Sequence, residues 1–136
     1  VVGPFSLQAE YLHAFLNQEY IGDPQFSGWY VETSYFLTGE YRPYNRRLAK
    51  FKRLKPIEDF GWGEGSGWGA WQVAARFSQF DLNSGDVEGG RMEDFTFGVN
   101  WYLNRSIRVM FNYVYGDRND RPGSENVYQM RFQTAF

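Results

Sequence analysis

The chain has 136 residues with a formal net charge of -2, and it combines 21% aromatic residues with 15 glycines and no cysteine. The absence of cysteine excludes disulfides, thiolate metal sites and a cysteine nucleophile, while the aromatic and glycine content favours β-structure over a helical bundle. The mean hydropathy of -0.57 does not exclude a membrane protein, because membrane-spanning strands alternate lipid-facing apolar side chains with polar ones.

Six segments alternate apolar and polar residues with a period of two, which is the pattern of strands with one apolar face. Each segment is close to the ~9 to 11 residues with which a tilted strand crosses a bilayer. In chain order the predicted strands cover residues 7–16, 29–38, 71–78, 94–103, 107–115 and 128–136. Trp and Tyr residues gather toward the ends of the apolar faces, as aromatic girdles at two membrane interfaces require. Alternation alone also fits a soluble β-sandwich, but the aromatic positions and the alternation that continues to Phe136 favour an all-β, antiparallel transmembrane β-barrel.

The first predicted strand contains His13, which is the chain's single histidine. His13 falls on the apolar face between Tyr11 and Phe15, so we interpret it as a ring at the membrane interface and not as a base or metal ligand. The glycine-rich stretch GWGEGSGWG at 61–69 lacks the Lys and Ser or Thr of a phosphate-binding loop. The sequence therefore predicts no enzyme, metal site or cofactor.

A strongly basic segment follows the second strand. Residues 42–55 hold seven of the fourteen basic residues and no acid; these are Arg42, Arg46, Arg47, Lys50, Lys52, Arg53 and Lys55. The segment lies in the longest connection, about residues 40–67, and fully extended it would reach about 46 Å at ~3.3 Å per residue. Two interpretations stay open: a connection that folds inward across a barrel lumen, and a solvated periplasmic loop.

Three arginines fall on the polar faces of later strands, namely Arg76, Arg108 and Arg131. They would continue a positive track along a lumen. Acids share that face, namely Glu10, Glu32 and Asp94. Because arginines on such a face commonly pair with carboxylates, alternation leaves open whether the three bind anions or serve structural ion pairs.

The connections differ in predicted length. The fourth and fifth strands are joined by a very short turn at Asn104 and Arg105, as expected on the periplasmic side of a barrel. The third and fourth strands, and the fifth and sixth, are predicted to be joined by longer outward loops at about 83–90 and 117–126, which are rich in Gly, Asp and Asn.

Several stretches resemble the C-terminal region of the phosphate-selective porins O and P: GPFSLQAEYL from Gly3, GWYVETSYFLTGE from Gly28, GWGAWQVAARFSQFDL from Gly67, FGVNWYLNRSIRVMFNYV from Phe97, and the closing RFQTAF. Gln72 departs from the family pattern, since an acid would be unsurprising there, and Arg105 stands where a Pro is common. The resemblance implies a trimeric outer-membrane barrel of about sixteen or more strands with an anion-selective constriction. Six strands cannot enclose such a pore, so residues 1–136 are expected to be the C-terminal portion of one barrel domain.

The expected function is passive, anion-selective diffusion of phosphate, polyphosphate or similar inorganic anions across the bacterial outer membrane. The expected anion-binding residues are the seven cations of residues 42–55 together with Arg76, Arg108 and Arg131. Outer-membrane lipid and two further copies of the chain are the expected partners, and nucleic acid is not. Two alternatives remain at this stage, a soluble β-domain whose basic run binds nucleic acid or another polyanion, and a structural or adhesive outer-membrane barrel.

Overall fold

A computed structural model describes residues 1–16, 24–45, 47–48, 50–85, 87–118 and 123–135. Its strands are β1 (Phe5–Phe15), β2 (Gln25–Phe36), β3 (Tyr44–Asn45), β4 (Lys50–Phe51), β5 (Ala70–Ser84), β6 (Val87–Tyr102), β7 (Ile107–Arg118) and β8 (Ser124–Thr134). Six of them form one antiparallel sheet in the order β1-β2-β5-β6-β7-β8, and β3 pairs with β4 alone. The prediction of an all-β, antiparallel part of a barrel is confirmed. Within the described residues the sheet is open, with β1 and β8 at its edges.

The register divides the sheet into two faces of opposite character. On one face Tyr35, Val73, Val99 and Phe111 lie side by side across four strands, and we call this the apolar face. Most of its large side chains are exposed, up to 80% for Tyr128 on β8. An exposed apolar surface of this extent indicates a contact surface. The other face, which carries Gln72, Arg76 and Arg108, is called the polar face below.

The apolar side chains of the apolar face form a band across the strands, which we call the apolar band. A polar cluster lies at one edge of this band. Trp29 Nε1 donates to Gln79 Oε1 at 2.9 Å, and Gln79 Nε2 donates to Glu93 Oε1 at 2.7 Å. Along β5, Gln79 lies about 26 Å from Trp71 at ~3.3 Å per residue. If β5 has the tilt of about 40° that is typical of barrel strands, this distance corresponds to ~20 Å along the barrel axis. Aromatic rings therefore lie near both edges of the apolar band.

Indole rings collect at the opposite edge of the band. Trp71 and Trp101 stack with 5.1 Å between ring centroids, and both Nε1 atoms donate to the carbonyl oxygen of Trp68 at 3.2 and 2.8 Å. Phe60 packs edge-on against Trp101 at 4.9 Å, and Trp62 next to it is 93% exposed. These rings form an aromatic belt of the kind that anchors a barrel at the lipid–water interface.

The turn between β6 and β7 is as short as predicted. Tyr102 ends β6 and Ile107 begins β7. The Asn104 side chain closes the turn, since its Oδ1 accepts from the backbone N–H groups of Ser106 at 2.8 Å and Ile107 at 2.9 Å. Asn is favoured in such turns because its side chain substitutes for a backbone acceptor.

The predicted outward loops are wrong in extent. β5 runs to Ser84 and β6 starts at Val87, so only residues 85–86 separate them, and β7 likewise continues to Arg118. Hydrogen bonds explain the difference: Asn83 Oδ1 accepts from the Gly90 N–H at 2.9 Å, and the ladder continues past a register shift near Asn83. The polar residues that suggested a loop extend paired strands beyond the apolar band.

β8 ends at Thr134, and residue 136, the last of the predicted final strand, lies outside the described residues. Among the residues that the structure describes, no helix is long and apolar enough to cross a membrane. His13 lies on the apolar face, as predicted, where its ring stacks on Phe15 at 4.4 Å and its Nδ1 lies 3.2 Å from the Tyr11 hydroxyl.

Replacing Gly69 by Ala is expected to prevent correct entry into β5. Gly69 has φ +69°, and a Cβ there would lie 2.4 Å from the carbonyl oxygen of Tyr102, which cannot move without breaking the ladder. We expect a cost of about 3 kcal/mol or more from strain and clash together, seen as loss of the compact, heat-modifiable band of the full-length protein on gels. Gly39→Ala is the control, since Gly39 also has positive φ but a Cβ added to it would meet no atom within 4 Å; equal loss in both would contradict the steric argument.

Candidate anion site

The basic segment, residues 42–55, folds back on itself. Tyr44 on β3 packs edge-on against Phe51 on β4 at 5.1 Å, and the Lys52 N–H donates to the Pro43 carbonyl at 2.8 Å. The Arg42 guanidinium lies 4.0 Å from the centre of the Phe51 ring. A doubled chain spans about half the distance of an extended one, so the segment does not use the full 46 Å that it could reach. Folding back satisfies backbone groups that an extended strand would leave unpaired.

One leucine attaches the basic segment to the sheet. Leu54 is 8% exposed and forms a small apolar cluster with Phe36 and Ala70, against which Tyr102 is packed. Phe36 is opposite Gln72 in the register, and Tyr102 is opposite Arg108. The segment therefore lies against the polar face of the sheet.

A cavity of about 320 Å³ opens where the segment meets the β6–β7 turn. Five of its lining side chains are cationic, namely Arg42, Lys52, Arg53, Arg105 and Arg108. None of the described residues that line it is acidic, and Asn104, Ser106 and Gln133 add neutral polar groups. This concentration of positive charge in a concave site is suited to an anion.

Among the described residues, no carboxylate oxygen forms an ion pair with any of the five cations that line the cavity. Arg108 donates to two neutral oxygens, the Tyr102 hydroxyl at 3.1 Å and Gln133 Oε1 at 2.7 Å. Arg53 Nη1 lies 3.5 Å from the Ala135 carbonyl oxygen. Arg91 and Asp81 form an ion pair at 4.0 Å, and neither of them lines the cavity. A guanidinium held by neutral acceptors is oriented and still attracts an anion.

A hydrogen-bond network across all six strands supports the cavity from below. It runs from Ser6 through Ser34, Gln72, Asn100, Tyr102 and Arg108 to Gln133. Gln72 is its centre and is 5% exposed. Its Nε2 donates to Ser34 Oγ at 2.9 Å, and its Oε1 accepts from Asn100 and Tyr102, both at 3.1 Å. An amide serves here because the site needs a donor and an acceptor together.

Gln72→Leu is therefore expected to destabilise the barrel by about 2 kcal/mol, because it leaves buried partners without hydrogen bonds. The measurement is the urea midpoint of the full-length protein refolded in detergent. Gln129→Leu is the matched control, since Gln129 is exposed on the polar face, and we expect it to change stability by less than about 0.5 kcal/mol. Similar losses in both variants would contradict the role of the network.

Arg76 lies on the polar face away from the cavity. Its guanidinium is 4.0 Å from the centre of the Tyr30 ring, and its buried Nε has no hydrogen-bond partner among the described residues. Tyr30 in turn donates its hydroxyl proton to Glu10 Oε2 at 2.8 Å. Asp94 accepts from the Ser78 hydroxyl. Glu10 and Asp94 were expected to oppose or pair with strand arginines, and both are bonded to hydroxyl groups.

The structure brings together only part of the predicted anion-binding set. Arg42, Lys52, Arg53 and Arg108 line the cavity, whereas Arg76 lines a separate one of about 520 Å³. Of the remaining cations, Arg47, Lys55 and Arg131 are exposed and line neither of these two cavities. Arg46 and the side chain of Lys50 lie outside the described residues.

Sequence reasoning missed Arg105 as a member of the site. It stands in a short turn, where no alternation assigns it to a face. The available signal was topological: strand parity places the β6–β7 turn at the same edge of the sheet as both ends of the connection that contains the basic segment. A cation in that turn is therefore a neighbour of the segment.

Comparison with known proteins agrees with this architecture. The family model described as phosphate-selective porin O and P matches residues 1–136. Porin O of Pseudomonas aeruginosa is 33% identical over 124 residues, which cover 83% of this chain and 27% of porin O. An uncharacterised protein of Caulobacter vibrioides is 37% identical over 90 residues, covering 66% of this chain and 17% of that protein.

The chain thus spans only about a quarter of the length of porin O, which agrees with a six-stranded open sheet that cannot enclose a pore alone. The family match nevertheless extends over every residue of the sequence. The strands, the exposed apolar face and the aromatic belt are those of an outer-membrane barrel. The chain belongs to the phosphate-selective porin O and P family.

Proposed function

We propose that this chain forms part of a passive, anion-selective pore that admits phosphate or a similar oxyanion. The observation that carries the proposal is the cavity lined by five cations with no acid among its described lining residues. Family membership supports a channel of the bacterial outer membrane rather than an enzyme. The proposal extends this to the selectivity and to the residues that produce it.

Selectivity would arise because Arg and Lys donors replace the hydrogen bonds that phosphate loses when it sheds water. Arg53 and Arg105 suit this task, since a guanidinium presents two parallel donors to an oxyanion and stays charged at any working pH. Lys52 would act as a compact point charge. The wall of the cavity contributes Arg108, whose neutral partners fix its direction.

The strand arginines would continue the path. Arg108, Arg131 and Arg76 lie on three different strands. The register aligns them with residues 102, 100 and 96 of β6, respectively, so they are spread over about 20 Å along the strand direction at ~3.3 Å per residue. Multiple weak sites allow an anion to enter and also to leave, whereas one tight site would block conduction. Packing of Leu54 on the polar face supports an inward position of the basic segment.

The proposed partners follow from the same surfaces. The exposed apolar face would contact outer-membrane lipid, with Trp62 and Trp68, both exposed, at the interface. A homotrimer is proposed on the family resemblance, and it predicts conductance that appears and closes in three equal steps.

The test is single-channel recording of the full-length protein in planar bilayers under a KCl gradient. We expect a reversal potential near the chloride equilibrium potential and block of the chloride current by added phosphate. A reversal potential near that of potassium, or the absence of conductance, would refute the proposal. Chloride selectivity without phosphate block would restrict it to a general anion pore.

A further inference from the structure

A buried carboxylate lies where the two ends of the basic segment meet, at Glu40 and Ile57. We call this place the neck of the segment. Glu40 is 4% exposed, and it precedes the first cation of the segment, while Ile57 follows the last. Glu40 Oε1 accepts from the Ile57 N–H at 3.2 Å. One hydrogen bond therefore closes the run of chain that carries all seven cations of residues 42–55.

The second oxygen of Glu40 attaches this neck to the sheet. Glu40 Oε2 accepts from the Thr38 hydroxyl, and Thr38 Oγ1 accepts from the Trp71 N–H at 3.0 Å. Thr38 follows β2, and Trp71 is the second residue of β5. The carboxylate thus connects both ends of the segment to the two strands between which it is inserted.

We propose that Glu40 is a positioning residue that closes the neck of the basic segment and so holds its cations over the cavity. The proposal rests on the anion-selective function proposed above. A buried carboxylate is retained where hydrogen bonds offset its desolvation, and both Glu40 oxygens have such bonds. Glu40 does not line the cavity, so it does not occupy the place of an anion.

Without this link, the packing of Leu54 in the apolar cluster and the contact of Arg53 with the Ala135 carbonyl oxygen would hold the cations near the sheet. The chain before β3 and the chain after β4 would be free to separate from each other, because the β3–β4 pairing joins only two residues on each side. Mobile cations still attract anions, but their distances to the path fluctuate. The expected signature is a noisier open channel with weaker selectivity, and not a loss of conductance.

The substitutions separate hydrogen bonding from charge. Glu40→Ala removes both bonds and one negative charge. Glu40→Gln removes the charge but keeps an acceptor for the Ile57 N–H and a donor toward Thr38 Oγ1. Glu58→Ala removes the same charge from an exposed side chain beside Ile57, with no side-chain hydrogen bond among the described residues.

The experiment records open-channel noise and reversal potential of the full-length protein and its three variants in planar bilayers. We expect Glu40→Ala to increase the noise several-fold and to lower the anion-to-cation permeability ratio several-fold. Glu40→Gln and Glu58→Ala should retain wild-type noise. Wild-type behaviour of Glu40→Ala would overturn the proposal, and so would a Glu40→Gln variant as noisy as Glu40→Ala.

Hydrogen exchange gives a second readout that does not depend on conduction. The Ile57 amide should exchange at least tenfold faster in Glu40→Ala than in wild type, and Glu40→Gln should restore the protection. Unchanged exchange in Glu40→Ala would overturn the proposal.

If the wild-type pore proves not to be anion-selective, the proposed function fails, while exchange at Ile57 still decides the positioning role. Thr38→Val, which removes the hydroxyl donor at nearly constant volume, replaces Glu40→Ala if that variant does not fold.

Discussion

The triple variant Lys52→Gln, Arg53→Gln and Arg105→Gln is expected to lose most of the anion selectivity of the pore. These three cations line the cavity from both sides, two from the basic segment and one from the β6–β7 turn. A unit charge about 8 Å from an anion contributes about 2 kcal/mol at an effective dielectric constant of about 20, and salt lowers that figure. Three lost charges should therefore reduce the anion-to-cation permeability ratio by more than about tenfold.

A matched variant tests whether position or net charge is responsible. Arg47→Gln, Lys55→Gln and Arg91→Gln removes the same number of arginines and lysines from exposed positions that do not line the cavity. We expect less than a twofold change in the permeability ratio, measured by reversal potential in the same gradient. An equal effect of the two variants would show that overall charge sets selectivity, and it would remove the cavity from the mechanism.

The sheet could be predicted from sequence because each strand repeats a simple pattern. Phe95, Phe97 and Val99 alternate with polar residues, and this alternation alone assigns their faces correctly. Strand ends were not predictable in the same way. Beyond the apolar band, most residues near Asn83 are polar or glycine, a composition that favours a loop, although their backbones remain paired.

The site was predictable in composition but not in arrangement. The density of cations in residues 42–55 is visible in the sequence, and Arg108 was placed on the polar face by alternation. Which cations meet depends on where Leu54 packs, and a single leucine among basic residues gives no periodic signal. Glu40 was equally invisible, because a lone acid before a basic run is expected to be solvated until its burial is known.

Leu54→Asp is expected to release the basic segment from the polar face. The substitution removes a side chain that is packed against Phe36 and Ala70 and places a carboxylate in the apolar cluster. Loss of the buried leucine and burial of an unpaired charge should together cost about 3 kcal/mol or more, which exceeds what the remaining contacts of the segment can offset. Trypsin should then cleave folded full-length protein after Lys52 or Arg53, and the anion-to-cation permeability ratio should fall several-fold.

Leu48→Asp separates release of the segment from its change in charge. Leu48 lies in the same segment and is 61% exposed, so an aspartate there adds the same negative charge without disturbing the cluster. We expect trypsin resistance to remain at the wild-type level and selectivity to fall by less than twofold. Because both variants carry one added carboxylate among the same cations, only docking by Leu54 accounts for a difference between them. If Leu54→Asp stays resistant to trypsin, the hydrogen bond between Glu40 and Ile57 and the contact of Arg53 with the Ala135 carbonyl oxygen suffice to hold the segment, and the leucine contact is dispensable.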